Sequence, residues 1–203
     1  MSELSSPKVV LASGSAIRAD LMRAAGVDFA VQPARIDEPA IIASLAAEQA
    51  HARDIADTLA EYKARQISVK APDALVIGAD QVLVCEGQIY QKPADLLQTR
   101  AQLSDLRGKG HQLLSAVVVY EGGKPVWRTL GRAQLTMRSF SDEFLETYLA
   151  NEGTDVLETV GCYKLEGAGV TLFSRVDGDY FTVLGLPLLE LLEFLRTRKA
   201  IPA

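Results

Sequence analysis

The hydrophobic positions of this chain change period several times, and the sharpest change lies near its middle. Residues 74–77, Ala-Leu-Val-Ile, form a short apolar run rich in β-branched side chains and followed by Gly78. That pattern predicts a buried strand. The strand ends in Gly78-Ala79-Asp80, so a carboxylate sits at the C-terminal edge of a core strand. Open α/β sheets place ligands and reacting groups at that edge. Residues 82–85 continue extended, Glu86-Gly87 turns, and residues 88–90 run back towards Lys92-Pro93. Such a hairpin brings the Lys92 ammonium near the Asp80 carboxylate. A surface Asp and a surface Lys flanking an ordinary hairpin would show the same pattern.

The N-terminal part alternates in a related way. Residues 8–12 predict a strand, Ser13-Gly14-Ser15 a small-residue turn, and residues 16–25 a helix with Ile17, Leu21 and Ala24 on one face. Gly26 is placed to end it. Strand, small loop and helix start together make an anion site, because free N–H groups and the helix dipole point at the ligand. Ser13 and Ser15 add hydroxyls and Arg18 adds a fork of donors. A cation in the first turn does not favour the helix itself, which suits a role for the anion. A plain serine cap is the competing reading.

Residues 29–32 predict a second strand, after which Asp37 and Glu38 stand side by side. Adjacent carboxylates suit a hard divalent cation or a solvated turn. Residues 41–69 read as one Ala-rich helical stretch in which Lys63 points into a cleft or into solvent. Residues 95–106 predict a helix. Residues 112–120, opened by His111, and 126–137 predict a meander over the core without chemistry of its own. Residues 142–150 predict a helix capped by Ser141 and closed by Gly153. Residues 159–169 are glycine-rich around Glu166, a composition that lets backbone approach a flat ligand or simply loops through solvent. Residues 170–173 predict a strand, and 188–198 a closing helix with Pro187 at a favoured first-turn position.

Composition narrows the class. The chain has 203 residues, 48% hydrophobic and 23% charged, with no internal repeat or low-complexity linker, so residues 1–203 read as a single domain with room for two lobes. No apolar run approaches the ~20 residues that span a bilayer, and the N-terminus lacks a basic-then-apolar signal pattern. A cytoplasmic protein without membrane contact is expected. Cys85 and Cys162 lie in apolar segments and read as reduced core residues, and with two histidines they make a poor zinc set. Net charge is −5 and no basic run appears, which argues against a nucleic-acid polymer as partner. A few cations focused in one cleft, helped by a divalent metal, would still hold a small polyanion.

Taken together, LASGSAIR near the start, Asp37-Glu38, LAEYKA, VIGADQV, Lys92-Pro93, RGKGH, GCYKLEG and GDYFTVLGLP resemble, in order and rough spacing, the Maf family of nucleoside triphosphate pyrophosphatases. The resemblance covers nearly the whole chain. It implies a mixed α/β fold, with an elongated twisted sheet flanked by helices and a cleft between two lobes, related to the inosine-triphosphate pyrophosphatases. It implies a nucleoside triphosphate substrate, a divalent metal (Mg²⁺ or Mn²⁺) and a homodimer. Carried over motif by motif, Ser13, Arg18, Lys63 and Lys92 would bind the phosphates. Glu38 and Asp80 would hold the metal, and Asp80 would accept the proton of the attacking water. A nucleotide-binding regulator of septum formation is the reading from another class.

Three positions depart from the commonest pattern of that family. Ser-Pro-Arg-Arg is here Ser15-Ala16-Ile17-Arg18, GAD is followed by Gln81 instead of threonine, and Glu166 stands where many members carry glutamine. Ile17, Gln81 and Glu166 resemble the branch acting on 7-methyl-GTP, although tryptophan is typical at the first of these positions. The common pattern goes with dTTP and UTP. Guanine offers two adjacent donors, N1–H and the 2-amino group, which a carboxylate such as Glu166 can accept together, with Gln81 donating to O6.

Overall fold

The computed structural model describes residues 7–202; the first six residues of the stretch read above for a signal lie outside them. In chain order the elements are β1 (Lys8–Leu11), α1 (Ala16–Ala24), β2 (Ala30–Val31), α2 (Glu38–Ala47), α3 (Ala52–Ser68), β3 (Ala74–Cys85), β4 (Gln88–Tyr90) and α4 (Leu96–Leu106). Then follow β5 (Gly110–Glu121), β6 (Lys124–Met137), α5 (Asp142–Glu152), two 3₁₀ turns (Gly153–Glu158 and Ala168–Leu172), β7 (Phe173–Asp177), α6 (Tyr180–Val183) and α7 (Leu188–Thr197). The strands form one mixed sheet in the order β2-β1-β3-β5-β6-β7, with β4 also on β3. β1 runs parallel to β2 and β3, and the other pairs are antiparallel. This is the mixed α/β sheet flanked by helices that the resemblance implies.

The pairing of β3 leaves part of one edge uncovered. On one edge β5 accompanies it without a break from Val76 to Val84. On the other edge β1 covers Ala74 to Ile77 and β4 covers Leu83 to Cys85. Residues 78–82 therefore have no strand beside them on that edge, and the gap opens beyond the C-terminal end of β1. Side chains alternate across the sheet. Leu75, Ile77 and Ala79 pack with Leu21, Met22, Leu191 and Leu195 of α1 and α7. Val76 and Val82 pack with Ile55, Leu59 and Ala64 of α3. Asp80 thus projects towards α3, and Gln81 towards the opposite face. A further cluster around Leu103, Leu113, Leu135 and Tyr148 fills the part of the sheet beyond the gap.

Several expectations are corrected, and one helix is added. The strand opened by residues 74–77 does not end at Asp80 but runs on to Cys85, so the carboxylate sits within β3 beside its uncovered edge. Among the described residues Lys92 does not reach Asp80, whose cation is Lys63. The stretch 41–69 is two helices, because the Glu48 N–H returns to Ser44 O and the Gln49 N–H to Ala46 O, and Gln49 turns left-handed at φ 57°. Residues 170–173 are mostly a 3₁₀ turn, since the Val170 N–H returns to Gly167 O, and the strand begins only at Phe173. The short helix α6 was not anticipated; the Asp179 carboxylate caps it by accepting from Thr182 N–H. Both cysteines are buried and free, as expected of small core residues. Among the described residues no helix is long and apolar enough to cross a membrane.

His111 generates a stability prediction. It is 1% exposed, its Nε2 lies 2.8 Å from Tyr163 Oη, and its Nδ1 has no partner among the described residues. Burial lowers its pKa from 6.5 to about 4. The unfolded chain takes up this proton near the higher value and the folded chain only near the lower one, so acid favours unfolding. Folding stability is expected to fall as pH drops from about 6.5 to about 4, by up to roughly 3 kcal/mol from this group. His111→Gln should flatten that limb when urea midpoints are compared at neutral and acid pH.

Candidate functional site

The site is built on a close approach of α3 to β3. A Cβ on Gly78 would lie 2.1 Å from Ala60 O and 2.6 Å from Ala64 N, so only glycine lets the helix backbone rest on the strand there. Ile55, Leu59, Ala60, Ala64 and Ile67 give α3 its buried stripe, and Lys63 lies on the same face. Its ammonium donates to Asp80 Oδ1 at 2.5 Å and meets Glu38 Oε1 at 2.8 Å. Lys63 is 8% exposed and Asp80 6%, so the pair is withdrawn from water. Glu38 remains half-exposed at the start of α2. Its neighbour Asp37 is occupied as the cap of that helix, accepting from Ala40 N–H at 3.1 Å. Of the two adjacent carboxylates, only Glu38 meets Lys63.

Burial raises the pKa of Asp80 above the usual carboxylate value, and Glu38 adds to the rise. Lys63 and Arg18 pull against it. A buried carboxylate of this kind is a better proton acceptor near neutral pH than a free one.

Arg18 fills the gap beside β3 from the α1 side. Its Nε donates to Gly185 O at 2.8 Å, and its Nη1 donates to Ala79 O at 2.8 Å and to Ser13 Oγ at 3.0 Å. One carbonyl on the uncovered edge of β3, Ala79 O, is thereby satisfied by a side chain where a strand is missing. Among the described residues no acceptor meets Nη2. Desolvation lowers the pKa of Arg18, while Asp80 and Glu38 raise it in return; arginine's intrinsically high pKa keeps the charge. Ser13 Oγ also accepts from Ser15 N–H at 3.3 Å. Ser15 itself makes no capping bond, so the plain serine cap does not describe this helix start.

The remaining candidates are less concentrated. Lys92 is exposed and makes no ion pair among the described residues; the hairpin forms as expected, but the cation on Asp80 is Lys63. Ile17 is half-buried against the α1/α7 cluster. Glu166 is exposed on the turn before the second 3₁₀ segment. Gln81 is half-buried, and its Nε2 donates to Ser115 Oγ, Thr182 O and Val183 O at 2.9 to 3.1 Å. The donation to a guanine O6 is therefore corrected, since the amide nitrogen is engaged by the protein. The β5–β6 meander, expected to carry no chemistry, contributes Ser115. Gly185, Thr182 and Ser115 were not singled out in the sequence, because an ordinary buried Ser or a post-helix Gly carries no local signal.

As metal donors, Glu38 and Asp80 converge on one ammonium, and among the described residues no cluster of three or more His, Cys, Asp or Glu adds to them. Two carboxylates fit Mg²⁺, which keeps several waters and takes further oxygens from substrate phosphates.

Comparisons with known proteins point the same way. A family model described as "Maf-like protein" matches residues 8–198. A "Nucleoside triphosphate pyrophosphatase" of Ruegeria sp. (strain TM1040) is 53% identical over 190 residues, 94% of this chain and 96% of that protein. One of Caulobacter vibrioides is 49% identical over 193 residues, 95% of this chain and 96% of that protein. One of Granulibacter bethesdensis is 47% identical over 194 residues, 96% and 98% respectively.

The packing of Gly78 gives a direct test. Gly78→Ala must displace α3, because the obstruction is backbone. Overpacking of this kind costs roughly 1–3 kcal/mol, and a thermal midpoint several degrees lower is expected. A midpoint equal to that of the parent protein would contradict the close approach.

Proposed function

The chain belongs to the Maf-like protein family, and from that premise we propose that it is a nucleoside triphosphate pyrophosphatase, converting NTP and water to NMP and pyrophosphate. The observation that carries the reading is the buried Asp80 carboxylate, held by Lys63 in the middle of β3 with Arg18 in the adjoining gap. Water attacks the α-phosphorus and its proton passes to Asp80. The bond from the α-phosphorus to the α–β bridging oxygen breaks, and pyrophosphate leaves with the electron pair. Lys63, Arg18 through Nη2, and Ser13 stabilise the charge that develops on the phosphate oxygens. Lys92, on its exposed segment, joins them when the substrate binds. Glu38 and Asp80 would hold a Mg²⁺ or Mn²⁺ ion, which when bound supplies charge neutralisation and a more acidic water. The reading also includes a homodimer in the cytoplasm, which light scattering of the purified protein addresses.

For substrate choice, the proposal is a modified guanine nucleotide such as 7-methyl-GTP, cleared as a house-cleaning activity. Glu166 supports it, because a carboxylate accepts from both guanine donors and favours the positive charge that N7 methylation adds. A UTP or dTTP pyrophosphatase shares all the phosphate chemistry and differs only at the base. A nucleotide-binding regulator has no use for a buried proton acceptor beside an anion site.

Asp80→Asn is expected to retain nucleotide binding by calorimetry and to lose pyrophosphate release by roughly 10³-fold or more. Undiminished release would move the base elsewhere. Glu166→Gln should lower the ratio of 7-methyl-GTP to UTP turnover by at least about tenfold, measured as kcat/KM on both. An unchanged ratio would refute Glu166 as the reader of the base.

A further inference from the structure

The amide of Gln81 has only one orientation compatible with its surroundings. Thr182 O and Val183 O accept and cannot donate, so Nε2 must face them and Oε1 must face away. Ser115, fully buried on β5, accepts from the same Nε2 at 2.9 Å and donates its own proton to Thr182 O at 2.8 Å. Two side chains of the central sheet thus grip the carbonyls at the end of α6. Two residues beyond Val183, Gly185 O accepts from Arg18 Nε at 2.8 Å. Gly185 has φ 92°, and a Cβ there would lie 3.3 Å from both Arg18 Nε and Nη2. Arg18 Nη1 then returns to Ala79 O, two residues before Gln81 on β3. The bonds close a ring: β3, Ser115, the 182–185 turn, Arg18, and back to β3.

We infer that Gln81 and Ser115 are positioning residues for Arg18. They hold the 182–185 turn so that Gly185 O and Ala79 O fix the guanidinium from two sides and leave Nη2 directed at an anion. Under the pyrophosphatase reading, on which the ligand's identity rests, that anion is the linear polyphosphate common to every nucleotide. Gln81 therefore acts on phosphate binding whatever the base. A residue that only read the base would leave a base-free polyphosphate unaffected.

The test uses the full chain with Gln81→Leu, which keeps the bulk, and Ser115→Ala, which removes a single oxygen. Two quantities are read well below the thermal midpoint: calorimetric affinity for inorganic tripolyphosphate, and hydrogen exchange of the Arg18 Nε–H by ¹⁵N NMR. Both variants are expected to bind tripolyphosphate about tenfold more weakly and to exchange the Arg18 Nε–H at least tenfold faster. They should also lower kcat/KM by the same factor for UTP, GTP and 7-methyl-GTP. Unchanged exchange and unchanged tripolyphosphate affinity in Ser115→Ala would overturn the inference, as would a loss confined to one nucleobase. If the parent protein releases no pyrophosphate from any of these nucleotides, the pyrophosphatase reading fails, and the exchange rate of the Arg18 Nε–H alone still decides whether the ring positions it.

Discussion

A carboxylate and an ammonium withdrawn from water, Asp80 and Lys63, set the demands that the surrounding structure meets. Taking two charges out of water costs several kcal/mol for each ion, and the attraction between them repays this only with good geometry. Here the geometry is supplied by α3 lying directly on Gly78, which sets the Lys63 ammonium 2.5 Å from Asp80. A buried ion pair adds little to stability compared with well-packed apolar side chains, so its presence beside the uncovered edge of β3 suits chemistry better than it suits folding. Burial raises the pKa of Asp80 against the pull of two cations, and that competition is what makes an aspartate fit for accepting a proton.

The second constraint is the missing neighbour beside residues 78–82 of β3. β1 stops at Leu11 opposite Ile77 and β4 resumes the pairing at Tyr90 opposite Leu83, and in the interval the Arg18 side chain bonds the Ala79 carbonyl. An unpaired strand edge inside a protein leaves polar backbone in need of partners; Arg18 answers that need at Ala79 O and brings a positive charge to the same place. The helix start at Ser13 to Arg18, the carboxylate of Asp80 and the ammonium of Lys63 meet at this gap from three different elements. The family's nucleotide chemistry calls for such a meeting of cations and a proton acceptor, which is why the fold and the proposed activity agree.

Much of this was legible in the sequence where the signal is local. The apolar run 74–77 with its glycine identified β3, Glu86-Gly87 located the hairpin, Gly26 ended α1, and Ser141 and Gly153 bounded α5. Signals that depend on distant packing were harder to read. The pattern of 41–69 is helical throughout, and the left-handed Gln49 that divides it has no strong sequence mark. Lys63 was open between cleft and solvent, because its direction depends on how closely α3 meets Gly78. Lys92 was placed beside Asp80 by the hairpin, yet the ladder ends at Tyr90 and the residue lies exposed. Gln81 was read as a donor to a base because its partners, Ser115, Thr182 and Val183, are 34 to 102 residues away in the chain.

The most direct test of the central claim is where the oxygen of water goes. Hydrolysis of a nucleoside triphosphate in ¹⁸O-water, followed by mass spectrometry of both products, separates attack on the α-phosphorus from attack further along the chain. The account predicts label in the nucleoside monophosphate and none in the pyrophosphate. Label in the pyrophosphate, or release of inorganic phosphate in its place, would contradict the role assigned to Asp80 and the reaction built on it.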